Sequence, residues 1–350
     1  MEFLYSNHLP LKTNQKNFQQ EFFGLLPASK RLDIGVGYIT NDSLLELKTI
    51  VEQNNIEYIN LVIGMHYLEK FTKIQYDSAL LLNDFLKQEK RGSVKLVLPF
   101  RFHGKMYSYS NDNGAFAGIL GSDNLGSIVE NKDRTYEASV VFKEIENARK
   151  MRMFIDKLSA NNISRNIDEV EIKDFKKNTA LLENHDGVEY VLPQIATFIT
   201  SGTGVSFDIP VPTSGKSSLN VYFGKGRETK KTGVIKARHW YECELIVSKQ
   251  ITSKPGYPRK EVNNGIFDVV TDDGWKFTCK VEGDYGKNLR SQDDLKILGK
   301  WIKGRLEEAG ALEVGKPVTE EVLRKYGRNT FKMRKTATPD LWFLDFGVRK

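Results

Sequence analysis

The sequence predicts an α/β domain followed by a mainly β domain, and three observations lead there. Strands and helices alternate over roughly the first 160 residues, the pattern of a sheet covered by helices. Beyond Asn178 the character changes to short strands separated by turn clusters. The length of 350 residues exceeds what one hydrophobic core usually serves, so two domains are expected, over 1–177 and 178–350.

In the first domain, Leu32–Ile39 (LDIGVGYI) is a short apolar run ended by Thr40, Asn41 and Asp42, any of which suits the cap of a helix over Ser43–Asn54. Ile59–Met65 is a second strand of buried type. Ile74, Leu80, Leu81, Leu82, Phe85 and Leu86 recur at helical spacing in Thr72–Glu89, and Gly92 stops that helix before a strand at Val94–Leu98. Further strands are expected at Lys105–Ser110, Ala115–Leu120 and Tyr136–Phe142, with a closing helix over Ile145–Leu158. Residues Asn161–Lys177 are polar, follow neither period and suit a connection.

In the second domain, strands are expected at Gly187–Ile199, Val205–Val211, Leu219–Phe223, Arg238–Val247, Gly265–Val270 and Trp275–Val281, with Asp272-Asp273-Gly274 as a hairpin turn. A helix over Asp293–Ala309 ends at Gly310, a shorter one follows Thr319 as cap, and Leu341–Val348 is a last strand.

With 40% hydrophobic and 28% charged residues, the chain has the material for packed cores. No stretch approaches the roughly 18 to 20 apolar residues that span a bilayer. Met1–Lys16 carries Glu2, Asn7, His8 and Lys12 where a secretory leader is apolar, so a cytoplasmic protein without membrane contact is expected. Cys243 and Cys279 match no metal-ligand spacing and are expected to be reduced, on half-buried strands; neither a metal nor a cofactor is expected. The net charge of +7 is uneven: residues 1–180 hold 24 Lys and Arg against 23 Asp and Glu, and residues 181–350 hold 28 against 22. A surplus concentrated in one half suits a polyanion binder, and equally an ordinary basic domain.

The informative string is Phe102-His103-Gly104-Lys105, followed after 15 residues by Gly121-Ser122-Asp123-Asn124 and then by Tyr136-Glu137. Two apart on a strand, His103 and Lys105 point to the same face. The turn after the apolar strand brings Ser122 and the Asn124 amide to the same place. A nucleophile, a fixed cation, two neutral donors and a carboxylate are what attack on a phosphodiester needs without a metal. His103 would attack phosphorus, Lys105 and Asn124 would hold the anionic oxygens, and Glu137 would orient the imidazole.

Alone, His-Gly-Lys is usually an exposed edge and Gly-Ser-Asp-Asn a turn. In this order and in strand contexts they resemble the phospholipase D superfamily, whose signature is His-x-Lys, a variable gap, then Gly-Ser-x-Asn. The familiar version has an Asp five residues after the lysine, where this sequence has Ser110, and nuclease members are looser there. A glutamate after the turn is typical of the nuclease branch; Glu137 fits that place better than Glu130. With one copy of the signature in the sequence, the resemblance implies a homodimer through the first domain. One His103 would attack and His103 of the partner subunit would protonate the leaving oxygen.

In the basic half, Ser214–Asn220 with Lys225, Arg227, Lys230 and Lys231, and Gly283–Ser291, join basic and amide residues with turn residues, which suits arms that read DNA or simply solvated loops. Gly215-Lys216-Ser217 mimics the end of a phosphate-binding loop, but Pro210 stands where the first glycine belongs and a strand is expected next, so nucleotide binding is rejected. Ser214–Asn220, Gly256-Tyr257-Pro258, Thr271–Phe277 and Gly286–Arg290 with the helix after them resemble the specificity domain of certain restriction endonucleases. That domain is similar to the plant B3 fold, a distorted seven-stranded open barrel (pseudobarrel) that reaches into the major groove with two arms.

The resemblance implies that Lys216, Ser218, Asn220, Lys225 and Arg227 lie on or near one arm and Lys287, Asn288, Arg290 and Ser291 near the other. The two likenesses together imply a metal-independent, site-specific endonuclease acting on double-stranded DNA. The rivals are a nonspecific nuclease or phospholipid phosphodiesterase of the same superfamily, and a noncatalytic DNA-binding regulator. Some relatives of this architecture work beside a helicase-like ATPase subunit, which here would be an external partner.

Overall fold

In the computed structural model, which describes residues 1–8, 11–54, 56–129, 135–176, 181–183, 185–192, 202–228 and 233–348, the first half builds one mixed sheet. Its strands are β1 (Glu2–Tyr5), β2 (Arg31–Val36), β3 (Tyr58–Ile63), β4 (Gly92–Val97), β5 (Lys105–Asn111), β6 (Gly114–Gly121), β7 (Ala138–Phe142) and β8 (Ser164–Asn166), in the spatial order β1-β7-β6-β5-β2-β3-β4-β8. β3 runs parallel to both β2 and β4, and the other pairs are antiparallel.

The helices are α1 (Phe18–Leu25), α2 (Asn41–Gln53), α3 (His66–Glu69), α4 (Lys73–Gln88) and α5 (Ile145–Leu158). Asn17, Thr40 and Thr72 close capping boxes at the starts of α1, α2 and α4, each worth about 1 kcal/mol. Period-2 alternation then divides two cores. Along β3, Ile59, Leu61 and Ile63 face the core shared with α1, α2 and α4, whereas Val62 faces α5. The buried stripe of α5 is Ala148, Met151, Ile155 and Leu158, packed with Val97 and Phe142. Gly118 of β6 makes that approach possible, since a Cβ there would stand 2.6 Å from the Phe142 ring and 2.9 Å from the Met151 sulfur.

The remaining strands are β9 (Val188–Tyr190), β10 (Gly202–Pro210), β11 (Arg227–Glu228), β12 (Ile235–Lys236), β13 (Leu245–Ile246), β14 (Ile266–Thr271), β15 (Trp275–Glu282), β16 (Asn288–Ser291), β17 (Thr330–Thr336) and β18 (Leu341–Asp345). All but β11 and β12 join a second sheet, ordered β10-β17-β18-β14-β15-β16-β13 with β9 added on β15, and only its β14–β18 pair is parallel. Three helices accompany it: α6 (Lys249–Thr252), α7 (Lys296–Glu308) and α8 (Glu320–Tyr326), the last capped by Thr319. The turn between β14 and β15 has Gly274 at φ +91°, and α7 pins it: Arg305 binds Asp272 at 2.8 Å, and the Trp301 indole donates to Asp273 at 2.9 Å. Among the described residues, no helix is long and apolar enough to cross a membrane.

Several expectations are corrected. Ser164–Asn166 is not merely a connection, because it pairs with β4 as the sheet's last strand; three residues are too few to display a period. Leu219–Phe223 is not a strand but part of a 3₁₀ turn over Ser218–Phe223, and Pro210 alone then sets this segment apart from a phosphate-binding loop. Within Arg238–Val247 only Leu245–Ile246 is strand, since Trp240, Tyr241, Glu242 and Cys243 face inward consecutively where a strand would alternate. Cys243 and Cys279 are fully buried, not half-buried, and Cys243 lies off the strands. Burial pushes the Cys243 thiol up to about 12 and raises Cys279 as well, which makes both poor nucleophiles. Of Gly187–Ile199, the described strand is Val188–Tyr190, and residues 193–199 lie outside the described ones.

One hairpin departs from its neighbours in sequence. Gly226–Ala237, from the second half, packs with the first unit. Its strands β11 and β12 pair with each other, and Ile235 exchanges two hydrogen bonds with the Asn54 side chain at the end of α2, at 3.1 and 3.2 Å. Val234 is buried in the first core, and the Lys236 ammonium sits 3.9 Å over the Phe23 ring. Burial pushes the Glu46 carboxyl of α2 up to about 7, with the Lys236 charge opposing and Asp42 adding to the rise.

Candidate active site

β5 begins at Lys105, so His103 lies on the approach to the strand and not on it. That approach is tightly built. The Phe102 N–H donates to the Gly64 carbonyl at 3.1 Å, and a Cβ on Gly64 would stand 2.1 Å from the Phe102 oxygen. The Phe102 ring folds against Gly104, where a Cβ would meet it at 2.4 Å. His103 is exposed, whereas Lys105 is only 6% exposed.

The two side chains still meet. Lys105 Nζ donates to the His103 carbonyl at 2.7 Å and stands 3.1 Å from Nδ1 and 3.2 Å from Nε2 of the imidazole. Burial lowers the Lys105 pKa, and the negative charge of Glu137 opposes that shift.

The second motif closes the end of β6. A Cβ on Gly121 would stand 2.0 Å from Ser139 Oγ, so only glycine lets β7 lie this close. Ser122 is tied to Ala138, which takes a bond from the Ser122 amide at 3.0 Å and donates its own N–H to Oγ at 3.0 Å. The neighbouring Glu137 is held from the other side by Ser6, through bonds of 2.9 and 3.0 Å. Asp123 is buried, accepts from Ser139 at 2.5 Å, and is pushed up to about 6 by burial. Asn124 Oδ1 accepts from the Tyr38 N–H at 3.0 Å. The Glu137 charge acts on Lys105, Tyr107 and Asp123 alike, so the carboxylate and the ammonium share one neighbourhood. Ser122 serves as a backbone staple beside Glu137. Glu130 lies outside the described residues.

The arm candidates divide sharply. Lys216, Lys225 and Lys287 are exposed. Arg227 is exposed on β11, in the hairpin packed with the first unit. Asn288 donates to Glu244 at 2.9 Å, and Arg290 binds Glu282 at 2.9 Å. Asn220 and Ser291 are completely buried. The Asn220 amide is bonded to both backbone groups of Val318, and Ser291 Oγ is bonded to the Asp294 carbonyl and the Leu298 N–H. Ser218 is also buried, at φ +52°. Lys230 and Lys231 lie outside the described residues. Among the described residues, no group of three His, Cys, Asp or Glu is placed to hold a metal ion.

Residues 17–172 match the family model of the NgoFVII restriction endonuclease N-terminal PLD domain, and residues 198–337 that of the NgoFVII C-terminal B3-like DNA-binding domain. The chain belongs to the NgoFVII restriction endonuclease family. The His103, Lys105, Ser122, Asn124 and Glu137 cluster falls inside the PLD domain of this family, and every arm candidate falls inside its B3-like domain. No curated protein matches the chain.

Among solved structures, NucT from Helicobacter pylori is 16% identical over 45% of this chain and 95% of its own, with a TM-score of 0.29. Phosphatidylserine synthase from Haemophilus influenzae Rd KW20 is 13% identical over 49% of this chain and 41% of its own, with a TM-score of 0.32. A yeast tyrosyl-DNA phosphodiesterase mutant is 17% identical over 58% and 46%, with a TM-score of 0.27.

Sequence reasoning missed the residues around the first motif. Tyr38, His66, Glu69 and Arg101 form no motif, and Tyr38 reaches Asn124 through a backbone N–H that any residue but proline would carry.

Proposed function

We propose that the chain is a site-specific DNA endonuclease of a restriction system, cutting without a metal through a phosphohistidine on His103. The observation that carries the reading is the Lys105 ammonium, held beside the His103 imidazole within the field of Glu137, in a chain that also has a B3-like DNA-binding domain. In the first step a ring nitrogen of His103 attacks phosphorus. The bond from phosphorus to the leaving oxygen breaks, and that oxygen takes a proton from His103 of the partner subunit. Lys105 and Asn124 balance the charge on the non-bridging oxygens, and Glu137 orients the imidazole. Water then attacks the phosphohistidine, gives a proton to the now neutral second imidazole, and the phosphorus–nitrogen bond breaks.

The functional division is 1–177 for cleavage and dimerisation and 178–350 for recognition, with the second sheet as an open barrel of B3 type. Exposed Lys216, Lys225, Arg227 and Lys287 contact DNA, Asn288 and Arg290 read from the second arm, and Ser218, Asn220 and Ser291 support the arms from within. The protein works on double-stranded DNA in the cytoplasm as a homodimer, and any helicase-like ATPase that works beside it is an external subunit.

The deciding experiment incubates the purified chain with plasmid in chelator, with and without a candidate ATPase, and sequences the fragment ends. Cleavage at one recurring sequence in chelator is expected. His103→Ala should abolish it while leaving DNA affinity within about twofold, because chemistry and recognition belong to different domains. Activity of the chain alone, without the ATPase, that vanishes in chelator and returns with magnesium would sink the metal-free mechanism.

A further inference from the structure

We infer that Tyr38 is a positioning residue of this site, setting His103 and Asn124 at once. The inference rests on the proposed phosphodiesterase role of those two residues. Tyr38 sits in the turn from β2 to α2, at the C-terminal ends of the parallel strands, where α/β sheets place their working loops. Different parts of it reach the two groups.

The backbone N–H acts on Asn124. By donating to Oδ1 at 3.0 Å, it engages the acceptor end of the side-chain amide. The NH₂ end is then the one left to meet an anionic phosphate oxygen. A flipped amide would set the Tyr38 N–H against another donor and turn lone pairs toward the phosphate. The bond thus selects the orientation in which Asn124 stabilises negative charge.

The ring acts on His103. The two rings meet edge to face, with centroids 5.6 Å apart and an interplanar angle of 81°. Behind Tyr38, His66 meets the same ring at 5.5 Å and 86°, and His66 stacks on buried Phe71 at 4.6 Å. The file runs from the core to the exposed imidazole. The phenol is fixed too: it donates to Glu69 at 2.7 Å, and Glu69 faces Arg101 Nε at 3.4 Å.

The turn itself has little slack. The Ile39 N–H donates to His66 Nε2 at 3.2 Å, Gln75 donates to the Ile39 carbonyl at 3.1 Å, and the Met65 N–H donates to the Gly37 carbonyl at 3.1 Å. A Cβ on Gly37 would stand 3.2 Å from the Met65 side chain and 3.3 Å from His103 Cδ2. The backbone beside Tyr38 therefore approaches the imidazole closely. Misplacing a reacting group by about 1 Å costs on the order of 100-fold in rate, which sets the scale expected when this support is removed.

The test uses the full-length chain with bis(4-nitrophenyl) phosphate, so that sequence recognition does not enter. Tyr38→Phe keeps the ring and the backbone bond and should hold kcat within about threefold; Tyr38→Leu keeps apolar bulk without the ring and should lower kcat about 100-fold with KM within about twofold. A role confined to packing would not separate these two variants at equal melting temperature. In parallel, Asn124→Ala should speed hydrogen exchange at the Tyr38 amide by about tenfold or more, read by mass spectrometry. That measurement needs neither turnover nor a folded Tyr38 variant. Equal kcat for Tyr38→Leu and Tyr38→Phe, or an unchanged Tyr38 exchange rate in Asn124→Ala, overturns the assignment of Tyr38 while the active site stands. Undiminished hydrolysis by His103→Ala overturns the active site itself, and the role of Tyr38 with it.

Discussion

Lys105 Nζ stands 3.1 Å from His103 Nδ1 while binding the carbonyl of the same histidine at 2.7 Å. One ammonium thus fixes the backbone that carries the imidazole and lies beside the ring. Burial lowers the pKa of this lysine, and Glu137 acts in the opposite direction. The charged form is present below the pKa and is lost as pH rises through it. Cleavage should therefore fail on the alkaline side before an ordinary lysine would titrate. Glu137→Gln removes the opposing charge and should move that limb to lower pH, measured on whatever rate remains. An alkaline limb that stays in place in Glu137→Gln would show that the two groups are not coupled.

Mixing wild-type chains with an excess of His103→Ala chains should poison activity beyond dilution, because each mixed dimer lacks either the attacking or the protonating imidazole. For freely exchanging dimers, activity should follow about the square of the wild-type fraction. A linear decline, with exchange verified independently, would mean that each chain cuts alone.

In the second unit, Asn220→Ala and Arg290→Ala should behave differently. Asn220 is fully buried and binds Val318 through both ends of its amide, at 2.8 and 2.9 Å. Its loss leaves buried backbone groups without partners and should cost roughly 2 to 4 kcal/mol of stability. Arg290 is partly exposed on β16, and its loss should leave the melting temperature nearly unchanged while relaxing preference at one base pair by roughly 1 to 3 kcal/mol. Denaturant titration and a binding-site selection separate the two. Unaltered stability in Asn220→Ala would contradict its placement inside the fold.

His66 gives an acid-side prediction. Burial lowers its pKa from 6.5 to about 4, so the folded protein holds it neutral while the unfolded chain protonates it. The stability involved is present above pH 6.5 and lost as pH falls toward 4, about 3 kcal/mol in all. His66→Gln should remove that part of the acid-side loss. Identical stability profiles over this window for the two proteins would refute the assignment.

What the sequence discloses depends on how local the signal is. α2 is announced by the run Thr40-Asn41-Asp42 because a cap acts within three residues, and α4 is read from its period. The His-x-Lys and Gly-Ser-x-Asn strings are legible for the same reason. Tyr38 is not, because its link to Asn124 spans 86 positions and uses the main chain. Asn220 and Asn288 look alike in sequence, both being amides among turn and basic residues. Burial alone separates them, and it depends on where Val318, 98 positions away, comes to lie.

The hairpin at Gly226–Ala237 bears on how new specificities can arise. Its seat is formed by Asn54, Phe23 and the first core, yet it is encoded among residues of the other half. A chimera joined once, near residue 178, would bring a foreign hairpin to a native seat. Recombination between relatives should therefore succeed when the crossover points flank the hairpin on both sides, or when donor and recipient already share the residues that grip it.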